Sequence, residues 1–524
     1  AWLGCTSIFL IVFYSPKYLW KTPVFRPITM FEPPLTGHNI TAVLVGALTF
    51  LVFVKLVFRF RVRKPPSYPP GPPGWPVLGN LASLAQNAHL QLTAWRGTYG
   101  DVFSVKMGLQ DAVVISGKDA IREALVRKAE HFSSRPDLFL MHCNNQRNGI
   151  VMRPYGLQWK ILRRFSTSTL RSCGMGTGVM EDKITLECQH FCTALKDKTD
   201  QPFDLTNLLH NTVANVICSM AIGKRFEYGD PTFLDLMEIV ERAMVLFITA
   251  HVINIYPVLR FFPVVGGLYR EWMDLTVRTR DCMMDIIEKQ KSRNASGEPN
   301  NIIDAFTRSV ELNPDSLPDQ SLMYLLIDLF AAGTETTANT LRWGLLYLMT
   351  HPDVQAKVQA ELDEVVGRDR PPAVSDKPNL PYTEATIMEM QRIRTVVPLS
   401  VPHCTSSDTT LLGYDIPAGT DVLINLWSLH MDPGCWDNPD KFDPGRFLDD
   451  NGQLQTNDSF MPFSTGRRVC LGEQLAKMEL FLFLTIMLQQ FTFKLPEGAR
   501  PNFDGILGVT LRPESFELIA VRRA

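Results

Sequence analysis

Near its C-terminal end the chain reads Phe463-Ser-Thr-Gly466-Arg-Arg468-Val-Cys470-Leu-Gly472 and runs directly into an apolar stretch. This puts a cysteine beside two arginines at the predicted start of a helix. Main-chain N–H groups, the helix dipole and the guanidinium charges there all favour thiolate. A thiolate can ligate a metal, act as a nucleophile, or do neither. A nucleophile wants a histidine base, and none stands nearby in sequence. Gly466 and Gly472 suggest a backbone that turns tightly or approaches a large flat object. The other nine of the ten cysteines are scattered, with no Cys-x-x-Cys pair and no zinc spacing. They read as small buried thiols of a reducing compartment rather than a disulfide framework.

Three further groupings carry chemically useful side chains. Ala332-Gly333-Thr334-Glu335-Thr336 sets an acid and an alcohol in the middle of a long helical pattern. Glu389 and Arg392 place opposite charges at i and i+3 on one helix face, which by itself is usually a solvated pair. Trp159 and Arg163 lie one helix turn apart. By itself, each is weaker than the cysteine loop.

The elements that must position these residues are mainly helical. The apolar periodicity predicts helices over 159–170, 321–349, 352–366, 382–395 and 471–490, with short strands at 102–107, 112–116 and 421–425. No repeat of 20 to 50 residues is visible, which excludes solenoids and propellers. No glycine-rich nucleotide loop follows a strand. The 524 residues carry a formal net charge of −2, with 45% hydrophobic and 20% charged side chains. Such a chain can bury a large core, is not disordered, and lacks the basic excess of a nucleic-acid binder.

Residues 40–58, ITAVLVGALTFLVFVKLVF, contain a single charge, Lys55. At about 1.5 Å per residue they span roughly 28 Å, close to a bilayer's hydrocarbon thickness. Arg59, Arg61, Arg63 and Lys64 follow, so the positive-inside rule places the remainder in the cytosol. The expected layout is an interfacial segment 1–39, a transmembrane anchor 40–58, and a basic, proline-rich hinge 59–76. The catalytic body then occupies 77–524. The seven prolines between Pro65 and Pro76 favour extended polyproline geometry and a stiff spacer.

The ten-residue pattern F-x-x-G-x-R-x-C-x-G resembles the haem-binding loop of cytochrome P-450, the haem-thiolate monooxygenases, at every specified position. The resemblance covers Pro65 to the end and implies one large haem domain, mainly α with small β-sheets, behind the membrane helix. It implies haem b (iron protoporphyrin IX) with Cys470 as axial ligand, a thiolate that pushes electron density toward oxygen. Phe463, Gly466 and Gly472 belong to the same loop. Arg468, Trp159, Arg163 and His403 are implied to hold the haem propionates, with Arg147 as a looser match. Glu335 and Thr336 match the oxygen-activation motif, in which acid and alcohol relay protons while Gly333 leaves space beside the haem. Glu389, Arg392 and Arg446 match a buried structural network. Gly445 stands where the family usually has an acidic residue, which weakens one local contact. Phe330, Ala331, Ala332, Val397, Val401 and Leu507 fall at substrate-pocket positions.

Stretches such as PYTEATIMEMQR and GEQLAKMELFLF resemble family two, nearest its U-type fatty-acid hydroxylases. The implied reaction inserts one oxygen atom from O2 into an apolar substrate: an arachidonate-type fatty acid is favoured, with a steroid or xenobiotic as the alternative. No flavin or nicotinamide motif is present. Electrons are therefore expected from NADPH through NADPH–cytochrome P-450 reductase on the endoplasmic reticulum membrane, with cytochrome b5 as a second donor. Lys160, Arg164 and Arg171 are candidates for steering an acidic partner. Two rivals remain at this point. A peroxide-rearranging haem-thiolate isomerase would tend to lack the acid–alcohol pair. A non-catalytic haem sensor would show no oxygen-dependent turnover.

Overall fold

The computed structural model describes residues 64–293, 299–313, 317 and 320–523. The apolar run 40–58 and the segment before it lie outside the described residues. No helix among the described residues is long and apolar enough to cross a membrane.

Helices dominate. The longer ones are α1 (Ala88–Tyr99), α2 (Leu157–Ser172), α3 (Gly178–Lys196), α4 (Thr206–Ala221), α5 (Pro231–Thr249) and α6 (Pro263–Arg293), followed by α7 (Ile302–Leu312), α8 (Ser321–Thr350), α9 (Pro352–Val365), α10 (Pro381–Ile393) and α11 (Glu473–Gln490). Helices α2, α8, α9, α10 and α11 fall where the periodicity predicts them. Helix α10 stops at Ile393 rather than Thr395, just before the β-branched, proline-terminated run Thr395-Val-Val-Pro398. Helix α11 begins at Glu473 with Gly472 as its N-cap, so Cys470 belongs to the loop before it.

Four small sheets accompany the helices. In the largest, β1 (Val102–Met107) pairs antiparallel with β2 (Gln110–Ile115), β2 pairs parallel with β7 (Asp421–Ile424), and β7 pairs antiparallel with β4 (His403–Cys404). A second sheet orders β3 (Phe203–Asp204), β11 (Glu517–Arg522) and β8 (Phe491–Lys494). Two hairpins complete the set, β5 (Thr409–Leu411) with β6 (Tyr414–Ile416) and β9 (Ile506–Leu507) with β10 (Leu511–Arg512).

Helix α8 is the spine. From Thr337 to Met349 every residue is buried, as expected of a helix that is apolar nearly all round and must be covered on every face. Between its buried ends, 327–329, 331–333 and 335–336 keep accessible surface, and Ala332 is exposed. Gly333 has a packing role: a Cβ there would lie 2.6 Å from Cδ1 of Ile217 on α4. Its smallness lets two helices approach, which replaces the expectation that it clears room beside a haem.

The proline run is no free spacer. Ser104 on β1 donates its N–H to Pro70 O at 2.7 Å and its hydroxyl to Pro69 O at 2.9 Å, and Asp415 N–H reaches Ser67 O at 2.9 Å. Proline lacks a donor but keeps its carbonyl, so an extended run can lie along an edge strand as acceptor. The body of the protein therefore includes residues from Ser67 onward, ahead of the expected boundary at 77.

Glu389 and Arg392 are wholly buried at 0% exposure and paired through two bonds, Nε to Oε2 at 2.7 Å and Nη2 to Oε1 at 2.8 Å. Arg446 Nε and Asp443 N–H also donate to Glu389 Oε1, at 3.1 and 2.9 Å. The rest of the Arg392 fork is spent on the carbonyls of His430 and Pro439. A buried pair is tolerable only when its remaining donors and acceptors are satisfied in this way. The missing acid at Gly445 leaves a simpler turn, with Asp443 capping Gly445 N–H at 3.0 Å. Through His430 the network extends further, because His430 Nε2 accepts Met461 N–H at 2.9 Å, two residues before Phe463. The charged core thus anchors the start of the cysteine loop.

Candidate functional site

The cysteine loop is held at both ends. Cys470 N–H donates to Phe463 O at 3.1 Å, closing the loop on itself, and helix α11 beyond it is buried from Met478 to Gln489. Gly466 has φ +78°, and a Cβ there would sit 1.9 Å from the carbonyl oxygen of Leu125. Only glycine fits, for reasons of both conformation and space. Gly472 differs: its φ is −91°, and a Cβ would meet no atom within 4 Å.

The thiol of Cys470 has accessible surface yet is enclosed by protein on most sides. Burial pushes its pKa up, with the Gly472 N–H and the Arg163 charge acting against that. The expectation of a net lowering by the adjacent arginines does not hold. Arg467 turns to the surface, to Glu130 at 2.9 Å and to the Tyr155 hydroxyl, and the charge acting on the sulphur is that of Arg163. Arg163 Nη2 donates to Val469 O at 2.8 Å.

Beside the loop lies a cluster of cations, with Arg135 buried and Arg163 and Arg468 half-buried. Arg468 spreads its fork over the carbonyls of Ser133 (2.8 Å), Ile150 (3.2 Å) and Arg153 (2.5 Å), with its plane 4.3 Å from the Trp159 ring centre. Trp159 Nε1 also donates to Ile150 O, at 3.2 Å. Arg135 donates to the carbonyls of Val151, Val401 and Pro402. Burial and the like charges of Arg135 and Arg163 push the Arg468 guanidinium down to about 8, and burial holds Arg135 at about 9. His403, on β4, is buried and driven well below its usual pKa by burial and then by Arg135 and Arg468. Its Nδ1 lies 2.7 Å from Phe132 O, where the neutral ring donates.

The structure brings Arg163, Arg468, Trp159 and His403, the four residues expected at the propionates, into one neighbourhood. Sequence reasoning missed Arg135, which no motif marks. Arg147 stands outside the cluster, paired with Asp137. Asp328 on α8 was also missed. Its Oδ2 accepts the N–H groups of Ile150 (2.6 Å) and Val151 (2.8 Å), so it pins the segment whose carbonyls receive Arg468, Trp159 and Arg135. Burial pushes its carboxyl up to about 7, against those two bonds and Arg153.

On α8 the acid and alcohol point different ways. Thr336 Oγ1 donates to Ala332 O at 2.7 Å, one turn back, on the side where Ala332 is exposed. Glu335 Oε1 accepts from the Thr510 hydroxyl at 2.8 Å, while its Oε2 is buried without a partner among the described residues. Burial, acting against the Thr510 bond, raises the pKa of Glu335. Of the expected pocket residues, Ala331, Val397, Val401 and Leu507 are half-buried. Phe330, at 1% exposure, belongs to the main core rather than to any open wall. Lys160, Arg164 and Arg171 are exposed on or beside α2, while Arg163 points inward.

The donor set fits a haem. Arg135, Arg163 and Arg468 have no carboxylate partner among the described residues and are satisfied only by carbonyls, so the cluster is short of negative charge. Cations drawn together and partly withdrawn from water in this way call for an anion, and two carboxylates on one ligand would supply it. An accessible thiol stands close by, on the loop that Arg468 and Arg163 both grip.

The family model for cytochrome P450 matches residues 69–520 of the chain. Cytochrome P450 2U1 of Mus musculus is 41% identical over 509 residues, covering 91% of this chain and 95% of that protein. Cytochrome P450 2U1 of Homo sapiens is 38% identical over 512 residues, 91% and 94% of the two chains. Cytochrome P450 2J2 of Homo sapiens is 38% identical over 487 residues, 91% and 95%.

Proposed function

The chain belongs to the cytochrome P450 family as a family-two monooxygenase, an oxidoreductase with haem iron, and from that premise we propose that Cys470 is its axial thiolate. The observation that carries this is the uncompensated cation cluster gripping the Cys470 loop. Arg135, Arg163 and Arg468 would hold the two haem propionates, with Trp159 packed under Arg468 and neutral His403 at the rim. When bound, thiolate-ligated haem supplies the activation of O2.

The protein's own groups then bind, orient and move protons. Gly472 N–H and Arg163 stabilise negative charge on the sulphur. Thr336 presents a hydroxyl on the accessible face of α8, and Glu335 beside it holds a proton at neutral pH more readily than an exposed carboxyl. Together they are suited to deliver protons during oxygen activation. Walls formed by Ala331, Ala332, Val397, Val401 and Leu507 are apolar or small and accept an apolar substrate, for which the resemblance favours a fatty acid. Electrons come from an NADPH-dependent flavoprotein reductase, steered by the exposed Lys160, Arg164 and Arg171. The 40–58 run anchors the enzyme in the endoplasmic reticulum membrane, with the body in the cytosol.

The test is the reduced protein under carbon monoxide. Thiolate ligation gives a strongly red-shifted Soret band, and Cys470→His should abolish it. Retention of that band in the variant would remove Cys470 from this role. A lipid library screened with reductase identifies the substrate.

A further inference from the structure

Glu335 does not stand alone on α8. Arg342, Asn339 and Thr510 form a chain of polar groups that ends on it. Arg342 Nη1 donates to Asn339 Oδ1 at 3.1 Å, Asn339 Nδ2 donates to Thr510 Oγ1 at 3.4 Å and to Glu335 Oε1 itself at 3.5 Å, and Thr510 donates to Glu335 Oε1 at 2.8 Å. The direction is fixed at its origin, because a guanidinium has donors only. Asn339 must therefore turn its oxygen to Arg342 and its amide N–H to Thr510. Thr510, already an acceptor, spends its single hydrogen on Glu335. Oε1 is thereby locked as an acceptor, and a proton on Glu335 must sit on Oε2, the buried oxygen without a partner.

Thr510 also belongs to the hairpin that carries Leu507. Leu507 pairs with Leu511 across β9 and β10, and Gly508 N–H closes the turn on Thr510 O at 2.8 Å. Leu511 N–H donates to Val396 O at 2.8 Å, next to Val397, and Trp343 Nε1 on α8 donates to Leu511 O at 2.9 Å. One expected substrate-contacting residue, Leu507, thus shares a hairpin with the group that holds the acid, and that hairpin is bonded to the residue beside a second, Val397.

We infer that Thr510 is a positioning residue for proton delivery: it places the Glu335 proton on Oε2 and links the Leu507 hairpin at the substrate side to that acid. This rests on the reading of Glu335 as the relay acid. The charged groups acting on Glu335 are Arg512 and Glu241, with Arg342 one link further along. Burial raises the carboxyl's pKa and the Thr510 bond opposes it, so removing the hydroxyl must raise it further.

The experiment uses the haem-loaded full chain. An infrared titration follows the protonated carboxyl band, assigned by its loss in Glu335→Gln, beside measurements of NADPH consumed, peroxide released and product formed. Thr510→Val should move the midpoint of that band up by about one pH unit, the worth of a charge-assisted hydrogen bond, and lower product per NADPH several-fold. Thr510→Ser should restore both. Thr510→Ala, which removes the hydroxyl without adding bulk, should shift the band the same way, and covers the case in which the valine variant fails to fold. If Glu335→Gln uncouples while neither Thr510→Val nor Thr510→Ala moves the band or the coupling, the assignment to Thr510 is overturned. If Glu335→Gln leaves product per NADPH unchanged, the relay reading itself fails, and this inference with it.

Discussion

Arg163 Nη2 donates to the carbonyl oxygen of Val469 at 2.8 Å, which fixes the inward face of α2 to the peptide immediately before Cys470. One side chain thereby serves both as a tether for the loop and as the positive charge that acts on the sulphur. Arg163→Ala should lower haem affinity about tenfold or more, since a charge-assisted bond and a half-buried cation are lost together. Arg163→Lys should recover only part of this, because an ammonium cannot reproduce the planar fork. Haem bound per chain, read from the Soret absorbance during a titration with free haem, measures both.

The two loop glycines should behave differently. Gly466→Ala meets the Leu125 carbonyl and a left-handed backbone, and it should fail to give folded, haem-loaded protein. Gly472→Ala meets no protein atom within 4 Å and should fold normally, so that any loss falls on haem affinity alone. Yield of soluble protein and haem per chain separate the two effects.

Removing one partner of the buried pair should be severe. Glu389→Ala leaves Arg392 charged and buried, at a cost of about 3–5 kcal/mol, a large part of a typical domain's net stability. The double variant Glu389→Met with Arg392→Leu should lose less than the two single changes added together. Denaturant midpoints of the three variants against the parent give the comparison.

Thr336→Ala should uncouple oxygen use from product formation. Peroxide per NADPH should rise and product formation fall, within the roughly 10²–10⁴-fold range of general acid–base contributions. Haem content should change little, since Thr336 bonds only the Ala332 carbonyl among the described residues. Unchanged product per NADPH would show that the proton arrives by another route.

Glu479 on α11 provides a pH test. It is buried, its Oε2 accepts the Thr337 hydroxyl at 3.0 Å, and burial lifts its pKa from the usual 4.5 to about 8. The folded state therefore binds this proton more tightly than the unfolded chain does. The stability so conferred is complete at low pH and is lost as pH rises from about 4.5 through 8. Glu479→Gln removes the titration, so the difference in unfolding free energy between variant and parent should shift in the variant's favour across that window. Chemical unfolding at several pH values reads it directly.

Helix α2 was legible in the sequence to within a few residues because its faces are sorted by burial, and α8 because its apolar run is too long for a strand. The site was legible where its residues sit in one short segment, as Arg468 and Cys470 do. Arg135 and Asp328 were not legible, since what matters about them is which carbonyls and N–H groups they meet across the fold, and no spacing records that. Gly333 misled for a related reason: a glycine shows that something comes close, but not whether it is cofactor or the side chain of Ile217. The pKa of Cys470 also went the other way, because sequence shows charged neighbours but not the depth of enclosure.

The cation cluster is assembled from distant parts of the chain: Arg135 and Arg163 from the first third, His403 and Arg468 from beyond residue 400. During synthesis the early arginines emerge some three hundred residues ahead of Arg468 and Cys470. On the proposed assignment of Cys470, no haem site can exist until nearly the whole polypeptide has left the ribosome, so cofactor capture is a late event in the life of a new chain. A message truncated before residue 468 would lack both Arg468 and the proposed thiolate ligand.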